Sequence, residues 1–446
     1  MSANTPAPSS KASLGAIFLT VFLDLVGFSI IFPLFPSMLG HYLPLEGPGS
    51  LLGNVVSGLQ NLCPSGASET EKQFLTQTLF GGLLGSLYAF MQFFFAPLWG
   101  RLSDRVGRRP VLLGTICGTA LSYLLWIFSG SFLVLILARL MGGAMAGNLG
   151  VATAAIADVT TRENRSKGMA LIGVAFGLGF LIGPAIGGAL SHWHLAETFA
   201  TDSVFAINPF SGPALVAFGL SLLNIGWAYF GLRETLTDAN RAQAATAVRP
   251  GVFSGLSAIP EAVTRRTILL NLIYTIAFAG MEFTLVFLAT ERLGYTSRQL
   301  VWIFVFIAVV LILVQGGVVR RLGPKIGENK LALVGLFSVG VSFVMLALSP
   351  VGSPAAFYAG LFFMAAGGAC AMPSLSSLVS LYTPEHSQGL ALGVFRSAGS
   401  LGRALGPLLA AVLFYAAGSR LAYLAGGLLM LVPLALGWKL PRPKRD

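Results

Sequence analysis

The chain has 446 residues, 55% of them hydrophobic and 10% charged, with 54 glycines and a net charge of +11. Ordinary soluble domains carry roughly 25% charge, so too little polar residue is present here to coat a particle in water, which excludes a cytosolic enzyme and a disordered scaffold. The long apolar runs equally exclude an outer-membrane barrel, whose strands are short and alternate.

Twelve apolar runs with few or no charges follow one another, each about 20 residues or more and so long enough to cross a bilayer as helix. They are predicted near 14–39, 76–99, 110–129, 131–157, 167–190, 213–232, 267–290, 299–319, 331–349, 354–381, 387–416 and 420–438. The first follows a short polar tail and is too long for a signal-peptide core, so it is expected to remain in the mature protein. Between spans 1 and 2, residues 40–75 form a long loop whose Leu51, Leu52, Val55, Val56 and Leu59 suit a short interfacial helix as well as a mobile loop. The loops on one side, with both tails, hold 21 of the 28 Lys and Arg and the opposite loops hold 4, so both termini are expected in the cytoplasm. The net charge is then chiefly a topology signal with some contact to anionic lipid, and it argues against a nucleic-acid partner. A multi-pass protein of the plasma membrane follows, or of the bacterial inner membrane in a prokaryote, and a monomer is expected.

Residues 233–266, rich in Ala, Thr, Arg and Pro, divide the spans into two sets of six, 1–232 and 267–446. The halves echo each other. Gly100-Arg101-Leu102-Ser103-Asp104-Arg105-Val106-Gly107 after span 2 returns as Gly316-Gly317-Val318-Val319-Arg320-Arg321-Leu322-Gly323 after span 8. Gly179-x-x-x-Gly183-Pro184 in span 5 returns as Gly402-x-x-x-Gly406-Pro407 in span 11. Parallel six-helix repeats of this kind build transporters with a central cavity of alternating access.

These residues carry a resemblance. The segment from Gly100 to Arg109 resembles the 2–3 loop signature of the major facilitator superfamily, and Arg139 with Gly142 and Gly143 resembles its span 4 motif. The run from Gly179 to Gly188 resembles the span 5 motif of its antiporters. Asp24-Leu25-Val26-Gly27 with Pro33 and Pro36, together with Ile156-Ala157-Asp158-Val159-Thr160, is similar to the tetracycline-transporter-like drug:proton antiporters. The resemblance implies an all-α membrane fold of twelve transmembrane helices in two pseudo-symmetric bundles, and drug:proton antiport.

In the 2–3 loop, Gly100 and Gly107 allow a tight connection. Asp104 is expected near the start of the third helix, where the helix dipole favours a carboxylate. Arg105, Arg108 and Arg109 can pair with acids on neighbouring helix ends, Asp158 being the candidate partner, and such a cluster would form a gate that holds one side shut. Gly179, Gly183 and Gly187 make a smooth stripe, with Pro184 a point of bending. The stripe serves either plain helix packing or a sliding seal between the halves.

Charge inside the spans is the sharpest signal, because each such residue costs roughly 2.5–3.5 kcal/mol on insertion scales and so usually faces a watery path. Asp24, Arg139, Glu282, Arg396 and Arg403 lie in spans 1, 4, 7 and 11. Arg396 and Arg403 are seven apart and leave one helical face. A carboxylic acid can take up and release a proton where arginine stays charged. Asp24 is thus the first choice as proton carrier and Glu282 the second, with Arg139 tuning the coupling by attracting the charged acid. Phe28, one turn from Asp24, together with Gln92, Gln315, Arg396 and Arg403 completes the candidate substrate site.

No Walker loop, nucleophile–base pair or metal-ligand cluster stands out, His192 and His194 being too few for a metal. The expected coupling ion is the proton, with no further cofactor. The favoured function is a proton-coupled exporter of hydrophobic or amphipathic drug-like compounds. An organic-anion or lipid carrier that binds its anionic group through the buried arginines is the alternative.

Overall fold

In a computed structural model the described residues are 10–47, 49–60, 69–160, 162–191, 193, 195, 204–236, 256–257, 259–319, 326–384 and 388–443. Most of the 233–266 linker, together with His192 and His194, lies outside them. Among the described residues the chain is almost wholly helical, as a bilayer requires of a backbone that must satisfy its own hydrogen bonds. Eleven helices are long and apolar enough to cross a membrane. The last of these, Ala391–Trp438, has 48 residues and crosses twice, because Gly418 at φ 78° breaks the helix within Gln388–Leu429. The count of twelve spans follows.

Several spans depart from straight helix. Span 1 runs as Ser10–Ser29, tightens at Phe32–Leu34 beside Pro33, and continues as Phe35–Glu46. Its far end is held by the Tyr42 hydroxyl, which donates to the Ser129 carbonyl at 2.8 Å, and by Glu46, which accepts from the Phe132 N–H at 2.5 Å. The 1–2 connection does contain a helix, Leu51–Gln60. Span 2 is Glu69–Val106, span 3 Arg108–Ile127, span 5 Arg162–Ala189 and span 6 Ser211–Gly231. Span 4, expected as one run, is split into Phe132–Met145 and Leu149–Val159 by a 3-10 turn at Ala146–Asn148. Span 7 is Ala262–Leu293, span 9 Glu328–Ala347 and span 10 Pro354–Leu381. Span 8, Ser297–Leu313, ends in a π-helical turn at Val314–Val319.

Within the first half span 5 packs on span 1 and span 6 on span 3; within the second, span 11 packs on span 7 and span 10 on span 9. The halves meet along spans 2 and 11 and along spans 5 and 8. Gly82 there faces Ala411 and the Pro407 carbonyl, and Gly177 faces Leu311. Away from the termini the Phe35 and Phe283 rings close the seam, 6.0 Å apart. Phe230, Trp438 and Phe337 project outward, exposed, as lipid-facing residues do.

The span 5 glycine stripe is used inside the first half. A side chain at Gly183 would meet the Ser29 hydroxyl and the Val26 carbonyl, and one at Gly187 the Ile30 carbonyl. Ser29 also donates to the Gly179 carbonyl at 2.9 Å. Instead of a sliding seal between the halves, the stripe of Gly179, Gly183 and Gly187 thus packs closely on span 1. The backbones approach so closely that nothing larger than hydrogen fits.

Candidate functional site

A central cavity of about 100 Å³ lies between the halves. Spans 1, 2, 3, 4 and 5 of the first half and spans 7, 8 and 11 of the second line it. Most of the lining is aromatic or aliphatic. Phe28, Phe32, Phe35, Phe176, Phe180 and Phe283 all border it, and three ionisable side chains, Asp24, Glu282 and Arg403, interrupt that surface together with Tyr88, Gln92 and Asn148.

Asp24 is held by the break in span 4. Gly143 and Gly147 bring span 4 so close to span 2 that a side chain would meet the Tyr88 backbone at one and the Ala96 backbone at the other. The 3-10 turn leaves carbonyls to be satisfied: Gln92 Nε2 donates to Ala146 at 3.0 Å, and Trp99 Nε1 to Ala144 at 2.6 Å. The turn also aims Asn148 into the cavity, where its Nδ2 donates to Asp24 Oδ2 at 3.3 Å.

Arg139 is only 4% exposed, yet among the described residues it forms no ion pair with Asp24. Its guanidinium lies 4.6 Å from the centre of the Tyr88 ring and 5.9 Å from that of Phe28, and its Nε and Nη2 lack a hydrogen-bond partner among the described residues. Aromatic faces take the place of a carboxylate here. Tyr88 and Tyr123 stand within electrostatic reach of both charges.

In the second half, Glu282 and Arg403 both line the cavity, with no direct ion pair between them among the described residues. Arg403 reaches across the seam, its guanidinium 5.6 Å from the centre of the Phe176 ring on span 5. Arg396 lies two turns toward the terminal side and is not part of the cavity lining. Gln315 is absent from the lining too, because it sits in the π turn at the end of span 8.

The equivalence of the halves can be fixed from their glycines. Gly183 faces the Val26 carbonyl and Gly406 the Ile276 carbonyl, so Val26 corresponds to Ile276. Counting back, Asp24 corresponds to Tyr274, a fully buried residue whose hydroxyl has no hydrogen-bond partner among the described residues. Glu282 corresponds to Phe32, two turns beyond.

On the terminal side Arg108 gathers the acids. Its Nη1 is 2.6 Å from Asp104 and donates to Ser103 Oγ at 2.7 Å, while its Nε donates to Asp158 at 3.1 Å. Thr235 donates to the same Asp158 oxygen at 3.2 Å. Burial pushes the Asp158 carboxyl above its usual range, and the Arg108 charge opposes that. Asp104 lies in the last turn of span 2, not at the start of span 3, because that helix runs unbroken to Val106. The carboxylate at the start of span 3 is Glu234, which accepts from the Arg108 N–H at 2.8 Å and the Arg109 N–H at 3.2 Å. Gly107 between the helices has φ 124°, and a side chain there would strike Glu234. Arg109 donates to the Tyr229 carbonyl at 2.7 Å, and Arg101 and Arg105 are exposed. These contacts join spans 2, 3 and 4 and the segment after span 6 within the first half.

The family model described as Major Facilitator Superfamily matches residues 17–353 and 318–446. The chain belongs to the major facilitator superfamily. It is 32% identical over 461 residues to the mouse major facilitator superfamily domain-containing protein 10, covering 98% of this chain and 95% of that one. It is 30% identical over 395 residues to the class B tetracycline resistance protein of Escherichia coli, covering 88% and 86%. A crystal structure described as the human organic anion transporter MFSD10 (TETRAN) superposes with a TM-score of 0.78 at 30% identity, covering 97% of this chain and 100% of that one. A bacterial homologue of the human lysosomal transporter Spinster, described as inward-facing and unoccupied, has a TM-score of 0.66 at 14% identity over 97% of each chain, a likeness of fold.

As a superfamily transporter the chain brings Asp24, Phe28, Gln92, Glu282 and Arg403 to one cavity and leaves Gln315 and Arg396 outside its lining. Sequence reasoning missed Asn148, Phe176 and Glu234. A polar Asn between Gly147 and Gly150 inside an apolar span, and an acid just past the end of span 6, were the available signals.

Proposed function

We propose that this transporter is a proton-coupled antiporter that exports hydrophobic or amphipathic drug-like compounds, with Asp24 as the proton carrier. One observation carries the reading: a carboxylate held by a neutral amide opens on an aromatic-lined cavity between the two halves. The cavity is lined chiefly by aromatic and aliphatic side chains with a few polar groups, the kind of lining that sites for drug-sized molecules have. Substrate and proton compete for the Asp24 environment. Protonation from the far side releases substrate, loss of the proton on the terminal side restores the charged site, and rocking of the halves carries each in turn. Relatives named for tetracycline resistance support this class of cargo.

A second reading, carriage of organic anions, is favoured by Arg403 in the cavity lining and by the human relative described as an organic anion transporter. Proteoliposomes with an imposed pH gradient test both. Export should collapse with an uncoupler and in Asp24→Asn, and undiminished gradient-driven flux in that variant would remove Asp24 from its role. Arg403→Ala should weaken anionic substrates and spare cationic ones if the second reading holds.

A further inference from the structure

Glu282 and Arg403 border the same cavity from different spans, with no direct ion pair between them among the described residues. Arg403 is also poised over the Phe176 ring of the opposite half. An aromatic face and a guanidinium on one wall, with more phenylalanine around them, suit an aryl group bearing a carboxylate or sulfonate. The obstacle to such a guest is Glu282. With both ionised, the guest and Glu282 would place two negative charges on one guanidinium in a largely apolar cavity, where like charges cannot comfortably coexist.

We propose that Arg403 and Glu282 form a proton-gated subsite for the anionic group of an amphipathic substrate: Glu282 neutralises Arg403 when the subsite is empty and takes up a proton when an anion replaces it. The proton comes from the water on the side to which the cavity is open and forms an O–H bond on the Glu282 carboxyl. No bond in the guest changes. The neighbours of span 7 leave this exchange to Glu282. Span 11 offers Arg403 and, two turns away, Arg396; span 10 offers Cys370, span 12 Tyr423, span 2 Tyr88, and span 1, across the cavity, Asp24. Span 9 carries Glu328 and Lys330 only at its terminal end, and span 7 itself carries Tyr274, with Arg265 and Arg266 near its start and Glu291 and Arg292 near its end. Of the acids, Asp24 and Glu282 border the cavity, and Asp24 is held by Asn148.

The inference rests on the transport reading and adds a consequence to it. A proton on Glu282 travels with the anion, against the proton on Asp24, so net proton counterflow per molecule is smaller for anionic cargo than for neutral or cationic cargo.

The test is equilibrium binding of 2-naphthoate and of neutral 2-naphthamide to the purified full chain in nanodiscs, followed by calorimetry in two buffers of different ionisation heat. Naphthoate should bind about tenfold or more weaker at about pH 8 than at about pH 6, with a proton taken up on binding, as linkage requires. Naphthamide should show neither effect. Glu282→Gln should bind naphthoate tightly at both pH values without proton uptake, and Glu282→Asp should keep the pH slope. Arg403→Ala should lose the preference for naphthoate. An unchanged slope in Glu282→Gln, or no preference for naphthoate in the wild type, overturns the subsite. Because binding is read without a gradient, the two readings fail separately. Proton-linked binding in a protein that pumps nothing sinks the transport reading alone, and pH-independent naphthoate binding in an active pump sinks the subsite alone.

Discussion

The two halves are built on one plan and differ in their chemistry. In both, a Gly-x-x-x-Gly stripe seats a late span against the carbonyls of the first span of its half, Gly183 on Val26 and Gly406 on Ile276. On that shared frame the first half places Asp24 beside Asn148, with Arg139 set under the faces of Tyr88 and Phe28. The second half puts Tyr274 in the position of Asp24, moves its acid two turns on to Glu282, and adds Arg403 to the cavity wall. Packing positions keep the symmetry because any enlarged residue there collides with backbone. Positions off that stripe escape the backbone collision and can diverge, so the two halves can take different tasks.

The largest effect that would break this comparison is on transport. Asp24→Asn should reduce gradient-driven flux by about a hundredfold or to background, a loss in the range of an essential acid–base group. Glu282→Gln should keep driven flux of neutral and cationic cargo. Equal loss in both variants, measured in the same proteoliposomes, would mean that the two acids share one role.

Next comes the frame itself. Gly183→Val and Gly406→Val should each cost about 3 kcal/mol or prevent folding, since overpacking a tight contact costs about 1–3 kcal/mol and here the clash is with backbone. Fluorescence-detected size exclusion and thermal melts would check this, and a tolerant Gly406→Val beside a lethal Gly183→Val would show that the packing symmetry is only apparent.

Smaller effects are expected at the terminal-side cluster. Arg108→Ala should lower stability by about 3 kcal/mol, because it leaves Asp104 and Asp158 without their shared cation. Asp158→Asn should cost clearly less, since burial already opposes its charge and Arg108 keeps Asp104. Thermal melts of the two variants decide the order, and the reverse order would mean that Asp158 rather than Arg108 organises the cluster. The smallest change, about 0.5–1 kcal/mol, is expected for Glu234→Gln, which keeps an acceptor for the Arg108 and Arg109 N–H groups while losing the charge favoured at a helix start.

Much of this was legible beforehand. Runs of apolar residues reveal spans because hydrocarbon admits only satisfied backbone, and the two glycine stripes announced the repeat. Asp24 and Arg403 stood out as charges with no reason to be in lipid. Other features were hidden for identifiable reasons. The break in span 4 leaves no proline or charge in the sequence, being set by the approach of span 2 at Gly143 and Gly147. Asp104 was assigned to the wrong helix end because the turn at Gly107 is only one residue long.

What the amino-acid sequence determined alone is the set of spans, their division into two sets of six, and the short list of ionisable groups within them. These follow from the cost of placing polar groups in a bilayer, which each residue meets individually. Which of those groups share a cavity was decided by the tertiary structure: Asp24, Glu282 and Arg403 do, while Arg396 lies off its lining and Arg139 rests on aromatic rings. Such groupings depend on how helices distant in sequence are rotated against one another, and that rotation is fixed by packing between spans rather than by any one span.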